Sequence, residues 1–226
     1  MRFPNAQRSV RLLRASLILT LALVVYSVTD KYFLPQYSGA SMPIGLVLLA
    51  FAGLLVSIAA LVLELVGVCL AAKDEALFRY ARAAIILSLS LALVNLFLRK
   101  LPVLHSVLDI VYRIPALIST FFILLGYIRL AKRLRDLKTA ELGRRILLPV
   151  LAAEFLYSLL SVVVRLSPAS GDFGLVPLLN AAALALSIVF PAIILIFLTQ
   201  VKAMLSRRRP APEHAAAVPD REGTQE

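Results

Sequence analysis

Long apolar runs bounded by basic residues organise the chain. In RYARAAIILSLSLALVNLFLRK, Arg79 and Arg82 open a run, Arg99 and Lys100 close it, and nothing charged lies between. At about 1.5 Å per residue, Arg79 to Arg99 covers about 30 Å, the thickness of a bilayer's hydrocarbon core. Helices buried in water-soluble proteins are rarely apolar on every face for so long. The pattern predicts transmembrane helices near 12–30, 43–71, 79–99, 105–130, 146–166 and 174–201. The expected fold class is an all-α membrane protein with six transmembrane helices over 1–205. The Pro- and charge-rich remainder, 206–226, reads as a disordered tail. The first run follows a basic arm, but YSVTDKYF offers a poor small-residue cleavage site, so a retained anchor is expected rather than a signal peptide.

The markers recur. Arg11, Arg14 and Lys31 are matched by Arg79, Arg82 and Arg99, and Arg79 and Arg99 again by Arg145 and Arg165. Three tandem helical hairpins are the architecture this internal repeat predicts. The same register aligns Ser16, Thr20, Val24 and Ser27 with Ala84, Ser88, Ala92 and Asn95, then with Val150, Glu154, Ser158 and Ser161. Each set forms one helical stripe, and small or hydroxyl residues favour close helix packing in lipid. The odd-numbered helices are therefore expected to turn these stripes inward. Mitochondrial-type carriers also use three hairpins, but their Pro-x-Asp/Glu-x-x-Lys/Arg signature is absent and that resemblance is rejected.

Composition agrees with the runs: 61% of residues are hydrophobic and 16% charged, against about half and about a quarter in soluble domains. The net charge of +11 does not point to nucleic acid, because the basic residues sit at the ends of apolar runs. Anionic lipid headgroups are the expected partners, with a protein partner or homo-oligomer left open. With both termini cytoplasmic, all but five of the 24 Lys and Arg fall on the cytoplasmic side; the five are Lys31, Arg99, Lys100, Arg113 and Arg165. The positive-inside rule thus predicts a multi-pass protein of the cytoplasmic membrane. Tyr26, Tyr32, Tyr37 and Tyr112 are placed at the outer interface, Tyr80 and Tyr127 at the inner one, and Tyr157 deep. Cys69 is the single cysteine, read as structural.

Intramembrane polar residues are the candidate chemistry. Glu154 stands nine residues beyond Arg145, about 13 Å into the core. A neutral Glu154 bonded to Ser88 or Thr20 and joining helices is the favoured expectation, with no second acid at its depth to complete a relay. Glu64, nine residues before Lys73, is expected to reach Arg82 or to sit neutral in the bundle. Asn95 and Asn180 fall in the outer third. Asp109 and Arg113 have the spacing of an intrahelical pair. Pro191 predicts a kink, and Pro149 suits a first turn. The only histidines, His105 and His214, are far apart, so no metal or other cofactor is expected, and no nucleophile or phosphate motif indicates an enzyme. The expected function is a non-enzymatic accessory, assembly or sensing component. The alternative is a small transporter or channel with a site between the odd-numbered helices, formed by Glu154, Ser88, Asn95, Asn180, Thr20 and Glu64.

Overall fold

The computed structural model describes residues 3–33, 44–98, 108, 111–166 and 175–207. These form helices α1 (Pro4–Phe33), α2 (Ile44–Ala71), α3 (Leu77–Phe97), α4 (Arg113–Arg133), α5 (Leu137–Leu166) and α6 (Leu175–Arg207), with no strand among the described residues. All six are long and apolar enough to cross a membrane. Asp109, His105, His214 and Tyr37 lie outside the described residues.

Three boundaries differ from expectation; the first is that α1 begins at Pro4 rather than near 12, the basic arm before the apolar run being itself helical. Residues 137–145 look like a charged loop but are good helix formers, so α5 begins well before the apolar run does. Pro149 consequently lies inside α5 rather than in its first turn. Likewise α6 continues to Arg207, past the expected start of the tail at 206.

Short turns fix one end of the bundle. Pro4 opens α1, where its missing N–H costs nothing. The next donors are taken by Asp74 in the α2–α3 turn: Ala6 N donates to Asp74 Oδ2 at 2.6 Å and Asn5 Nδ2 to Oδ1 at 3.0 Å. Between α4 and α5, Arg135 takes a left-handed conformation (φ 55°). Asp136 N then donates to Ala131 O at 3.0 Å and Arg135 N to Lys132 O at 2.9 Å, a Schellman closure of α4. Asp136 at once caps α5, its Oδ1 accepting from Thr139 N at 3.0 Å.

Each helix packs on its neighbours in the chain, and α6 returns to α1, closing a ring in which α2 touches α3 only lightly. Small residues seat the α1–α2 contact. A Cβ on Gly53 would lie 3.2 Å from Tyr26, and one on Gly67 3.1 Å from Leu13. Between them, Ala60 is buried and its carbonyl accepts from Ser16 Oγ at 2.8 Å.

The core gathers near the capped end. Val10, Val68, Phe78, Leu130, Phe197 and Val201 are fully buried there, whereas Ile44, Phe51, Leu93, Phe97, Phe155 and Leu178 toward the other end are exposed. Tyr127, expected at the interface, is instead fully buried. Its hydroxyl shares a 2.6 Å hydrogen bond with Ser9, and its ring meets Phe78 edge-on at 4.8 Å. Partnering the hydroxyl lets the ring fill the core.

Candidate functional site

Inside the ring lies a cavity of about 220 Å³, lined by residues of α1, α2, α4, α5 and α6. Two carboxyls face it, Glu64 from α2 and Glu154 from α5, and four hydroxyls join them: Ser16 and Thr20 from α1, Ser119 and Thr120 from α4. Apolar wall is supplied by Leu13, Leu17, Ile123, Leu124, Phe190, Ile194 and Leu198.

Helix periodicity explains how each group arrives. Ser16 and Thr20 are one turn apart on α1, with Leu13 and Leu17 beside them on the same face. Ala116, Ser119, Thr120 and Ile123 repeat that spacing on α4. On α6, Phe190, Pro191, Ile194 and Leu198 form the facing stripe, with Pro191 inside the helix. Its ring carries no N–H, so it adds no donor to the wall.

The hydroxyl protons are already committed. Ser16 Oγ donates to Ala60 O at 2.8 Å, Thr20 Oγ1 to Ser16 O at 3.0 Å and Ser119 Oγ to Ala116 O at 2.7 Å. Thr120 Oγ1 lies 3.3 Å from both Ala116 O and Glu154 Oε1. The other oxygen of Glu154, Oε2, is buried without a protein partner. No Lys, Arg, His, Asn or Gln is among the described lining residues. What the cavity offers is acceptors: carboxyl oxygens and hydroxyl lone pairs. No group of three or more His, Cys, Asp or Glu able to hold a metal ion occurs among the described residues.

Three of the six residues singled out in the sequence meet here: Thr20, Glu64 and Glu154. The other three lie elsewhere. Ser88 Oγ donates to Tyr112 O at 3.1 Å, joining α3 to α4. Asn95 is buried on α3 and Asn180 half-buried on α6, both away from the cavity. No residue of α3 lines the cavity, so the described site is not enclosed by the odd-numbered helices; α4 and α6 form much of its wall. Glu154 meets Thr120 rather than Ser88 or Thr20. Glu64 faces Glu154's cavity while Arg82 is exposed, so the second acid thought missing at this depth is Glu64. The residues overlooked were Ser119 and Thr120. Their signal was two adjacent hydroxyls within an apolar run.

A polar clamp closes the bundle on the capped side of the cavity. Glu75, with its side chain 1% exposed, pairs with Arg133 at 2.8 Å and Arg129 at 3.7 Å, one turn apart on α4. Asp74 on α1 and the Ser9–Tyr127 bond complete it. Neither acid stood out in the sequence, because both sit in a short basic turn outside the apolar runs. Near the far end of α4, Arg113 lies over the rings of Tyr112 and Tyr157, at 5.8 and 5.7 Å.

Comparison with protein-family models, curated proteins and solved structures finds no match. Six apolar helices of spanning length fit a multi-pass membrane protein.

Proposed function

We propose that this chain is a small multi-pass transporter of the cytoplasmic membrane, with both termini cytoplasmic, that exchanges protons for a cation at the Glu64–Glu154 cavity. The observation carrying this reading is the placement of two carboxyls from different helices around one cavity whose described lining holds no Lys, Arg, His, Asn or Gln. Carboxyls held between helices at membrane depth need a proton or a cation to offset their charge. A residue that merely joins helices has no need of the empty volume beside it. The expectation of an accessory component rested on missing features, and the cavity is a positive one.

Orientation is proposed from charge. The capped end of the bundle carries Arg8, Arg11, Lys73, Arg79, Arg129, Arg133 and Arg145 among its described residues, which the positive-inside rule assigns to the cytoplasm. The clamp at Glu75 then closes the cytoplasmic side.

Reconstitution in proteoliposomes tests the function. An imposed pH gradient should collapse faster when Na⁺, K⁺ or an organic ammonium is supplied, relative to protein-free vesicles. Glu154→Gln should fold normally and lose this flux. If that variant fails to accumulate as folded protein, or if the native chain moves no proton with any cation, the residue is structural and the accessory role regains first place.

A further inference from the structure

We propose, building on the transport reading, that the cavity recognises a primary or secondary organic ammonium of about nine non-hydrogen atoms. The size follows from volume: a 150 Å³ cavity accommodates benzene, and this one holds about 220 Å³.

The charge and the N–H bonds follow from the lining. With hydroxyl protons given to the Ala60, Ser16 and Ala116 carbonyls, and that of Thr120 divided between Ala116 O and Glu154 Oε1, the free lone pairs seek donors, and an ammonium supplies up to three. Glu154 Oε2, buried and without a protein partner, is the natural acceptor of one of them. An anion finds no cationic or amide side chain among the described lining residues. A divalent metal ion prefers six or more oxygen ligands, mostly carboxylate, carbonyl and water, and leaves the apolar side of the wall without a use. Phe190, Leu124, Ile194 and Leu198 instead suit a hydrocarbon body, with the Phe190 ring face also able to meet the cation. Among the described residues, the titratable groups facing the cavity are Glu64 and Glu154; α1, α4 and α6 present hydroxyl and apolar side chains. Binding then exchanges one positive charge for another: the ammonium enters and a carboxyl proton leaves to solvent.

Calorimetry of the full-length protein in mild detergent tests this, with empty micelles as the blank. The probes are 2-phenylethylammonium, its N,N,N-trimethyl analogue and the neutral propylbenzene. Titration in two buffers of different ionisation enthalpy reads proton release. The expected result is binding of phenylethylammonium with about one proton released, and at least about tenfold weaker binding of the other two, the factor that one lost charged hydrogen bond carries. Glu154→Gln should weaken the amine by a similar factor, and the wild-type comparison stands even if that variant does not fold. Equal binding of propylbenzene reduces the cavity to an apolar void, and equal binding of the trimethyl analogue removes the N–H requirement. Either result overturns the proposal. So does no binding of the amine; if Na⁺ or K⁺ still drives proton flux, transport stands and only the substrate class falls. When neither flux nor binding is seen, both readings fall.

Discussion

Gly143→Ala loosens the capped end of the bundle, although alanine is the better helix former. A Cβ at this position would lie 2.5 Å from Ile128 Cγ1 and 2.9 Å from Phe197 Cε2. Neither is the tip of a flexible chain: one is a branch atom and the other belongs to a fully buried ring. Forcing a methyl into such a three-helix contact costs about 1–3 kcal/mol, against about 1 kcal/mol gained in helix propensity. With two short approaches the clash wins, and a net loss of up to about 2 kcal/mol is expected. Gly126→Ala should behave alike, since its Cβ would fall 2.7 Å from two Phe78 ring atoms. Gly45 provides the control, with nothing within 4 Å, so Gly45→Ala should be neutral or mildly stabilising. Thermal unfolding in detergent orders the three, and a Gly143→Ala protein as stable as Gly45→Ala would refute the packing described.

Neutralising Arg129 and Arg133 together should damage the protein more than neutralising Glu75. The pair is asymmetric: the glutamate side chain is 1% exposed, whereas the arginines are 56% and 46% exposed. Glu75→Gln leaves two half-exposed guanidinium groups that water can solvate, at a cost of about 1–2 kcal/mol. The double change to Gln leaves a buried carboxylate without its cations, and stranding a buried charge costs about 3–5 kcal/mol. Unfolding midpoints of the two variants measure the difference. Equal losses would mean that the carboxylate is better hydrated than its burial implies.

Helix number was legible in the sequence because the basic markers bracket each apolar run; the lengths were not, since α1, α5 and α6 run on into the charged segments beside those runs. Nor was the facing of each helix. In a water-soluble helix the polar side reveals the outward face, but α2 and α6 are apolar nearly all round and carry little such signal. Glu64 and Glu154 were each placed nine residues from a basic marker, yet nothing in the spacing said that α2 and α5 turn both toward one cavity. The stripe Ala84–Ser88–Asn95 was read as facing a shared interior because α1 and α5 carry similar stripes. In the fold Ser88 serves the α3–α4 contact. Tyr127 misled for a related reason. Tyrosine suits interfaces, and only the arrival of Ser9 from α1 makes a buried hydroxyl tolerable.

Whether the helices cross a membrane, with the capped end on one side, is the point on which the transport account rests. In a Cys69→Ser background, single cysteines at Lys73 and Arg135 can be compared with others at Ser38 and Ser170 in sealed, oriented vesicles, using an impermeant maleimide. Lys73→Cys and Arg135→Cys should react only from the cytoplasmic side, and Ser38→Cys and Ser170→Cys only from the opposite side. Labelling of all four from the same side would contradict the account.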